Sequence, residues 1–111
     1  NRGVPAAMLV RHFRREGLDW YVRDTIRRMV DFHRANLVGD WPIMPRPDLV
    51  LLRNVLIYFD ADTRRRVLAR VAQAMAPDGF LVLGGAENTL GCEDLFERAA
   101  AAHGAYAPRA G

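Results

Sequence analysis

Residues 47–60, with the sequence PDLVLLRNVLIYFD, decide the fold of this 111-residue chain. After Asp48, the run LVLL at 49–52 is apolar throughout, without alternating polar residues. This pattern is typical of a strand buried on both faces of a parallel sheet. The run ends at Arg53 and Asn54, two strongly polar residues. Ligands of open α/β sheets bind beyond the carboxyl ends of the strands. This pair is therefore better placed to hold a ligand than to build a core.

A helix and a second strand follow. Asp60 or Asp62 is suited to cap a helix over about residues 63–75. PDG at 77–79 ends the helix, and FLVL at 80–83 is a second apolar strand. Strand, helix and strand of these lengths predict a parallel, adjacent βαβ unit and thus an α/β fold. The helix has an apolar stripe of Val67, Leu68, Val71, Ala72 and Met75, opposite Arg64, Arg65, Arg66 and Arg70.

The segment before this unit is predicted to contain a helix and a ribbon. Residues 5–15 have the pattern of an amphipathic helix that ends at Gly17. Residues 18–36 are richer in strand formers, and we predict that 20–22 and 26–33 pair as a β-ribbon. A helix over 26–33 fits the pattern nearly as well.

The end of the chain allows two interpretations. The four alanines at 99–102 favour a helix by propensity. His103 and Gly104 would also suit a turn between two short antiparallel strands.

Length and composition restrict the class of protein. With half of its residues hydrophobic, the chain can bury one modest core, and we expect one domain. The sequence contains no apolar run near 18 residues and no secretory leader, so we expect no membrane insertion. The single Cys92 cannot form an internal disulfide, which makes the cytoplasm the default location.

The charge pattern argues against a nucleic-acid partner. All 16 basic residues are arginine, and the pI is near 9.7, as in many nucleic-acid binders. The arginines are, however, spread among 13 acidic residues rather than clustered. We therefore predict that the chain binds no nucleic acid.

Several familiar kinds of site are not supported. The three histidines are far apart in sequence and have no Cys or carboxylate at ligand spacing, so we predict no metal site. Gly84 and Gly85 do not match the spacing of phosphate-binding loops and are better explained as a tight turn. Cys92 is better explained as a small loop residue than as a nucleophile.

Arg53 and Asn54 are the strongest candidates for a binding site. In an arbitrary α/β domain, Arg53 would more often pair with a nearby carboxylate, and Asn54 would more often cap the following turn. Here Asn36 and Leu37 end the preceding segment, and two asparagines at loop mouths can offer donors and acceptors to a purine edge or an amino-acid carboxylate. Tyr58 lies four residues after Asn54, in the loop that would cover such a ligand.

Together these motifs resemble the chemotaxis-receptor methyltransferases of the CheR type. The family pattern runs from Asn-Leu through a Pro-containing loop, an Asp with four apolar residues, Arg-Asn-Val and Ile-Tyr-Phe-Asp to a helix, Pro-(Asp/Gly)-Gly, a strand and a Gly-rich turn ending in Glu-Asn. The resemblance covers nearly the whole chain. The matching segments are NL at 36–37, WP at 41–42, Asp48, RNV at 53–55, IYFD at 57–60, PDG at 77–79, GG at 84–85 and AEN at 86–88.

The resemblance implies a partial Rossmann-like fold of the class I S-adenosylmethionine-dependent methyltransferases, with the β-ribbon at 18–36 as a small insertion. It favours a C-terminal hairpin after the βαβ unit, within residues 47–111. It also implies methylation of glutamate side chains on the cytoplasmic domain of a chemoreceptor, with S-adenosylmethionine as the cofactor. Asn36, Leu37, Arg53 and Asn54 would contact the cofactor, and Tyr58 would sit beside the transferred methyl group.

The family's Gly-rich cofactor loop and its N-terminal helical domain have no counterpart in these residues. The resemblance therefore implies that these residues are the C-terminal part of such an enzyme. The missing N-terminal half would be their partner, and the fragment alone would turn over little substrate. Two alternatives stay open. One is a small-molecule methyltransferase of the same fold, and the other is a non-catalytic module whose ribbon docks a partner protein.

Overall fold

The computed structural model describes residues 3–100 and 102–109. Contacts divide the chain after Arg34 into two compact units. The expectation of one domain stays a prediction. In the first unit, helix α1 (Ala6–His12) leads directly into strand β1 (Phe13–Glu16), which pairs antiparallel with β2 (Asp19–Val22). A single helical turn, α2 (Asp24–Arg27), follows. Within the described ranges, no helix is long and apolar enough to cross a membrane.

The ribbon exists, but the predicted pairing of 20–22 with 26–33 is wrong. Gly17 has φ +62° and forms the turn between β1 and β2, because glycine accepts the left-handed region without steric cost. It therefore turns a hairpin instead of ending a helix, and the helix predicted over 5–15 stops at His12. Residues 30–36 have no regular structure, so the ribbon does not fill 18–36.

The second unit contains the predicted βαβ arrangement. Strand β3 (Leu49–Leu52) is followed by a 3₁₀ turn (Leu56–Tyr58), helix α3 (Ala61–Ala74) and strand β4 (Phe80–Leu83). β3 and β4 are parallel neighbours, in a register that places Leu49 beside Phe80. The prediction of a parallel, adjacent strand pair bridged by a helix is confirmed.

A C-terminal hairpin completes the sheet. It consists of β5 (Phe96–Arg98) and β6 (Ala105–Pro108), and the strand order is β3-β4-β6-β5, with β6 antiparallel to both neighbours. The hairpin interpretation is therefore correct. The described alanines of the run at 99–102 lie in the connecting loop and not in a helix. The remaining one, Ala101, lies outside the described residues.

Helix α3 is built as its sequence indicates. The Asp60 carboxylate accepts a hydrogen bond from the Thr63 N–H at 2.8 Å and caps the first turn. The predicted apolar stripe faces the sheet: Val67, Leu68 and Met75 are fully buried, in one cluster with residues of β3, β4 and β5.

Only one face of β3 is covered by the second unit. Leu52 is buried towards the core, whereas Leu49 and Leu51 are 57% and 66% exposed. The prediction of a strand buried on both faces is thus wrong for the described residues, because α3 covers one side and β3 lies at the edge of the sheet.

Candidate functional site

The loops after β3 and β4 meet at one edge of the sheet. Arg53 and Asn54 follow β3, and Gly84 follows β4. Because the two strands are parallel and adjacent, these residues lie side by side at the carboxyl edge, where α/β sheets bind ligands.

One carboxylate ties the two loops together. Glu87 lies in the loop after β4 and is only 9% exposed. It accepts four backbone hydrogen bonds, from the N–H groups of Gly84 at 2.9 Å, Asn54 at 2.6 Å, Val55 at 3.1 Å and Ile57 at 3.3 Å. The side chain therefore fixes the backbone on both sides of the crevice, and we call it the Glu87 clamp.

Backbone hydrogen bonds keep the clamp ionised. Burial acts to raise the pKa of the Glu87 carboxyl, but backbone N–H groups of both loops stabilise its charged form more strongly. The net result is a pKa below the ordinary glutamate value. Glu87 is thus held as a carboxylate that the backbone itself neutralises, and we assign it a positioning role.

Asn54 and Gly84 are adapted to close contact. Asn54 has φ +60°, a left-handed conformation that asparagine tolerates better than most residues. A Cβ atom on Gly84 would collide with the Asn54 side-chain oxygen and lie 2.6 Å from Oε1 of Glu87. A Cβ on Gly85 would meet nothing within 4 Å. Position 84 therefore has to be glycine, because Glu87 approaches it too closely for a side chain. A side chain at position 85 would not touch the clamp.

The predicted site residues on this loop are open to solvent. The side chains of Arg53 and Asn54 are exposed at the end of β3. Tyr58 ends the 3₁₀ turn and is 80% exposed, so it is not a plug of the core within the described residues. A rigid backbone thus presents a guanidinium, an amide and a phenol at one edge.

The Asn36–Leu37 pair is held differently. The Asn36 side chain accepts a hydrogen bond from the Val38 N–H at 3.1 Å and so stabilises its own turn. The Leu37 carbonyl accepts hydrogen bonds from Trp41 Nε1 at 2.9 Å and from Arg70 Nη1 at 3.2 Å. Leu37 itself packs against the core.

Arg70 secures this loop. Its guanidinium also donates to the Gly39 carbonyl and stacks 4.5 Å from the ring centroid of Trp41. The sequence had placed Arg70 on a solvated helix face, so its structural contacts were missed. We call this arrangement the Arg70 clamp. Within the described part of the chain, no hydrogen bond joins Asn36 or Leu37 to the Arg53–Asn54 pair.

The exposed groups suit the cofactor that the sequence implied. S-adenosylmethionine carries a purine edge and an amino-acid carboxylate. An amide offers both donors and acceptors to such an edge, and a guanidinium offers two parallel donors to a carboxylate. The cofactor roles of Asn36, Leu37, Arg53 and Asn54, and the catalytic role of Tyr58, stay predictions.

Glu87 is the residue that sequence reasoning did not assign to the site. Its signal was an acidic residue three positions after Gly84, in a turn that follows a buried strand. Cys92 is 3% exposed within the core, in line with its interpretation as a small structural residue. The described residues contain no group of three or more side chains that could hold a metal ion.

Comparisons with known proteins point to one family. A family model described as "CheR methyltransferase, SAM binding domain" matches residues 1–105. The chain is 38% identical over 76 residues to a chemotaxis protein methyltransferase of Vibrio parahaemolyticus, covering 68% of this chain and 28% of that protein. It is 35% identical over 97 residues to chemotaxis protein methyltransferase 1 of Pseudomonas aeruginosa, covering 86% and 35%.

An uncharacterized 104.1 kDa protein of Rhodobacter capsulatus is 38% identical over 100 residues, which are 90% of this chain and 10% of that protein. The chain thus spans about a third or less of the length of these relatives.

Proposed function

The chain belongs to the CheR methyltransferase family, and we propose that, within a longer protein, it supplies part of an enzyme that methylates glutamate side chains on chemoreceptors. S-adenosylmethionine is the cofactor named in the description of this domain family. Relatives named as chemotaxis protein methyltransferases support the reaction class. Protein-glutamate O-methylation, a receptor's cytoplasmic domain as substrate, and a cytoplasmic location complete the proposal.

The proposed fold is the C-terminal part of a Rossmann-like class I methyltransferase. Its support is the parallel β3-α3-β4 unit, followed by an antiparallel hairpin whose second strand lies beside β4. In this arrangement the carboxyl ends of β3 and β4 form one half of the cofactor crevice. The other half, with the Gly-rich loop, belongs to the rest of the enzyme.

The Glu87 clamp is the observation that carries the proposed site. It holds the backbone of Asn54 so that the exposed Arg53 and Asn54 side chains project from a fixed edge. We propose that these two residues, with Asn36 and Leu37 from the 36–41 loop, bind and orient the cofactor. A preorganised backbone reduces the conformational entropy that is lost on binding.

The chemistry needs orientation more than proton transfer. Bound S-adenosylmethionine supplies a methyl group on a positively charged sulfur, and transfer to a carboxylate oxygen cancels both charges. A glutamate acceptor is already ionised at pH 7, so no general base is required. We assign Tyr58 the role of orienting the acceptor, since its phenol is exposed on the same loop as Asn54.

The rest of the same enzyme is the proposed partner of β3. The outward side chains of Leu49 and Leu51 form an exposed apolar strip on the strand at the edge of the sheet. A strip of this kind is buried when a further layer packs on it.

A non-catalytic interaction module is the alternative that an observation favours. Large apolar side chains of the first unit are exposed, with Leu18, Met29 and Phe32 each more than 80% accessible. Exposed apolar groups of this size are suited to contact another protein.

An assay of the full-length protein separates these functions. Calorimetry measures S-adenosylmethionine binding, and labelled methyl transfer is followed to a receptor cytoplasmic fragment and to small acceptors. We expect binding of the cofactor and transfer to receptor glutamates. Receptor binding without cofactor binding would support the interaction module, and transfer only to small acceptors would support a small-molecule methyltransferase.

Two variants test the site itself. Asn54→Gly removes the amide while keeping the positive φ, and we expect a loss of about 1–3 kcal/mol, or roughly five- to 150-fold, in cofactor affinity. Tyr58→Phe should leave cofactor affinity nearly unchanged and lower the rate of transfer. Unaltered cofactor binding in a folded Asn54→Gly protein would contradict the assignment.

A further inference from the structure

A second feature of the carboxyl edge is a cavity of about 310 Å³ beside the turn after β4. It lies between Gly84 and Gly85 on one side and residues 98–100 and 102–106 of the C-terminal hairpin on the other. The Leu83 N–H donates to the Gly104 carbonyl at 3.1 Å, which fixes the start of β6 next to this turn. The cavity is therefore a built part of the second unit.

The cavity adjoins the proposed cofactor residues. Gly84 and Glu87 line it, and the same two residues contact Asn54. A group bound in the cavity would thus lie beside the turn that contacts Asn54.

The cavity offers a guanidinium and an imidazole. Arg98 and His103 line it, and both are exposed. Neither forms an ion pair within the described residues, whereas Arg65 and Arg109 are paired with nearby carboxylates. Among its described lining residues Glu87 is the one acidic side chain, and backbone N–H groups already occupy both of its oxygens.

The size of the cavity restricts what it can hold. Pockets for drug-sized ligands are roughly 300–1,000 Å³, so 310 Å³ is at the lower limit. Glycines and alanines form much of its wall. A cavity of this volume suits one side chain and its flanking main chain better than a complete nucleoside cofactor.

We infer that this cavity binds the acceptor side chain of the protein substrate, a glutamate whose carboxylate is held by Arg98 and His103. A guanidinium is a strong partner for a carboxylate, and an imidazole retains an N–H donor even when neutral. A contact to one carboxylate oxygen leaves the other free to accept the methyl group. The inference rests on the proposed function and names the residues that select an acidic acceptor.

The test uses the full-length protein and compares Arg98→Ala and His103→Ala with Arg46→Ala. Arg46 is a charge-matched control, because it is exposed and donates to the Gln73 carbonyl on a different part of the unit. We expect Arg98→Ala to raise KM for the receptor fragment about tenfold or more, with kcat and cofactor affinity within about twofold. His103→Ala should have a smaller effect in the same direction, and Arg98→Lys should recover part of the loss.

A peptide competition isolates recognition of the carboxylate. A peptide containing the acceptor glutamate and the same peptide with glutamine are compared as inhibitors of methyl transfer to the receptor fragment. The wild-type protein should prefer the glutamate peptide, and Arg98→Ala should lose most of that preference, which a purely structural role would not produce.

The two proposals fail in different ways. If the wild-type protein binds the cofactor and methylates the receptor, but Arg98→Ala keeps its KM and its peptide preference, the cavity is not the acceptor site. If the wild-type protein does not bind the cofactor or methylate receptor glutamates, the proposed function is wrong, and this inference is overturned with it.

Discussion

Two loops of the second unit carry the predicted cofactor residues, and they are held by opposite charges. The Glu87 clamp is a buried carboxylate that accepts hydrogen bonds from the N–H groups of the 53–58 loop. The Arg70 clamp is a half-buried guanidinium that donates to carbonyls of the 36–41 loop and stacks on Trp41. Removing a buried partner leaves its donors unsatisfied, whereas carbonyls nearer the surface can turn to water. The first loop should therefore depend more strongly on its clamp.

The largest expected effect is that of Glu87→Gln. An amide cannot replace a carboxylate that accepts four N–H groups, and each lost charge-assisted bond is worth about 1.5–3 kcal/mol. We expect amide hydrogen exchange of residues 53–58 in the full-length protein to accelerate about 100-fold or more. Exchange of residues 36–41 should not change, and Glu93→Gln, at an exposed position, should alter neither loop. Equal acceleration in both loops would mean that the clamps are not independent.

Gly84→Ala should have the next largest effect. The added Cβ would lie 2.6 Å from Oε1 of Glu87, so the clamp must shift. Overpacking of this kind costs about 1–3 kcal/mol, and we expect faster exchange over 53–58 together with weaker cofactor binding. Gly85→Ala is the matched control, since its Cβ would meet nothing within 4 Å. A harmless Gly84→Ala would show that the turn after β4 moves freely.

Arg70→Ala should affect the other loop, and less strongly. It removes two hydrogen bonds to carbonyls and the contact with Trp41, which together are worth about 1–2 kcal/mol at a half-buried position. We expect about five- to 30-fold faster exchange of residues 36–41, with 53–58 unaffected. Arg66→Ala, on an exposed part of the same helix, is the control. A larger effect than that of Glu87→Gln would reverse the comparison.

The smallest expected effect is a difference in how the two clamps respond to pH. The folded pKa of Glu87 lies below its ordinary value of 4.5. Its contribution is therefore complete above that value and is lost as the pH falls through the folded pKa. The difference in 53–58 exchange between wild type and Glu87→Gln, measured at each pH, should shrink in acid. The Arg70 clamp involves no carboxylate, so exchange of residues 36–41 is the internal reference at each pH.

Another carboxylate, Asp94, also has a lowered pKa. A hydrogen bond from Arg65 lowers the pKa of Asp94 to about 2, so this pair also weakens in strong acid. Because it is present in both proteins, it cancels from the difference between wild type and Glu87→Gln. A difference that did not shrink as the pH fell below 4.5, over the range in which both proteins stay folded, would contradict the ionised clamp.

The parts of the fold that sequence predicted are those where local signals agree. Around α3, the Asp60 cap, the apolar stripe and the terminating Pro-Asp-Gly all indicate the same helix, and the structure has it. The predicted pairing of the ribbon was wrong because Gly17 can either end a helix or turn a hairpin. Only the pairing of β1 with β2 decides between these two structures. The alanine run does not form the helix that its propensity favours, because β6 pairs with β4. This contact is distant in sequence and overrides helix propensity.

The position of the candidate site could be predicted from the sequence, but the side chains that hold its loops in place could not. The end of β3 identified Arg53 and Asn54, since the polar pair interrupts an apolar run. Glu87 is 33 residues from Asn54, and no local pattern reveals that its carboxylate reaches across the strands. The Arg70 contacts were hidden in the same way, in a row of similar arginines on α3.

The open edge of β3 has a consequence for handling this piece of the protein. Its four residues are all aliphatic, and within residues 3–100 and 102–109 the strand has a neighbour on one side only. Edge strands without proline, lysine or a bulge present unpaired main-chain groups to which another strand can add. If the 111 residues were produced alone, β3 is where copies of the chain would begin to join into intermolecular sheets.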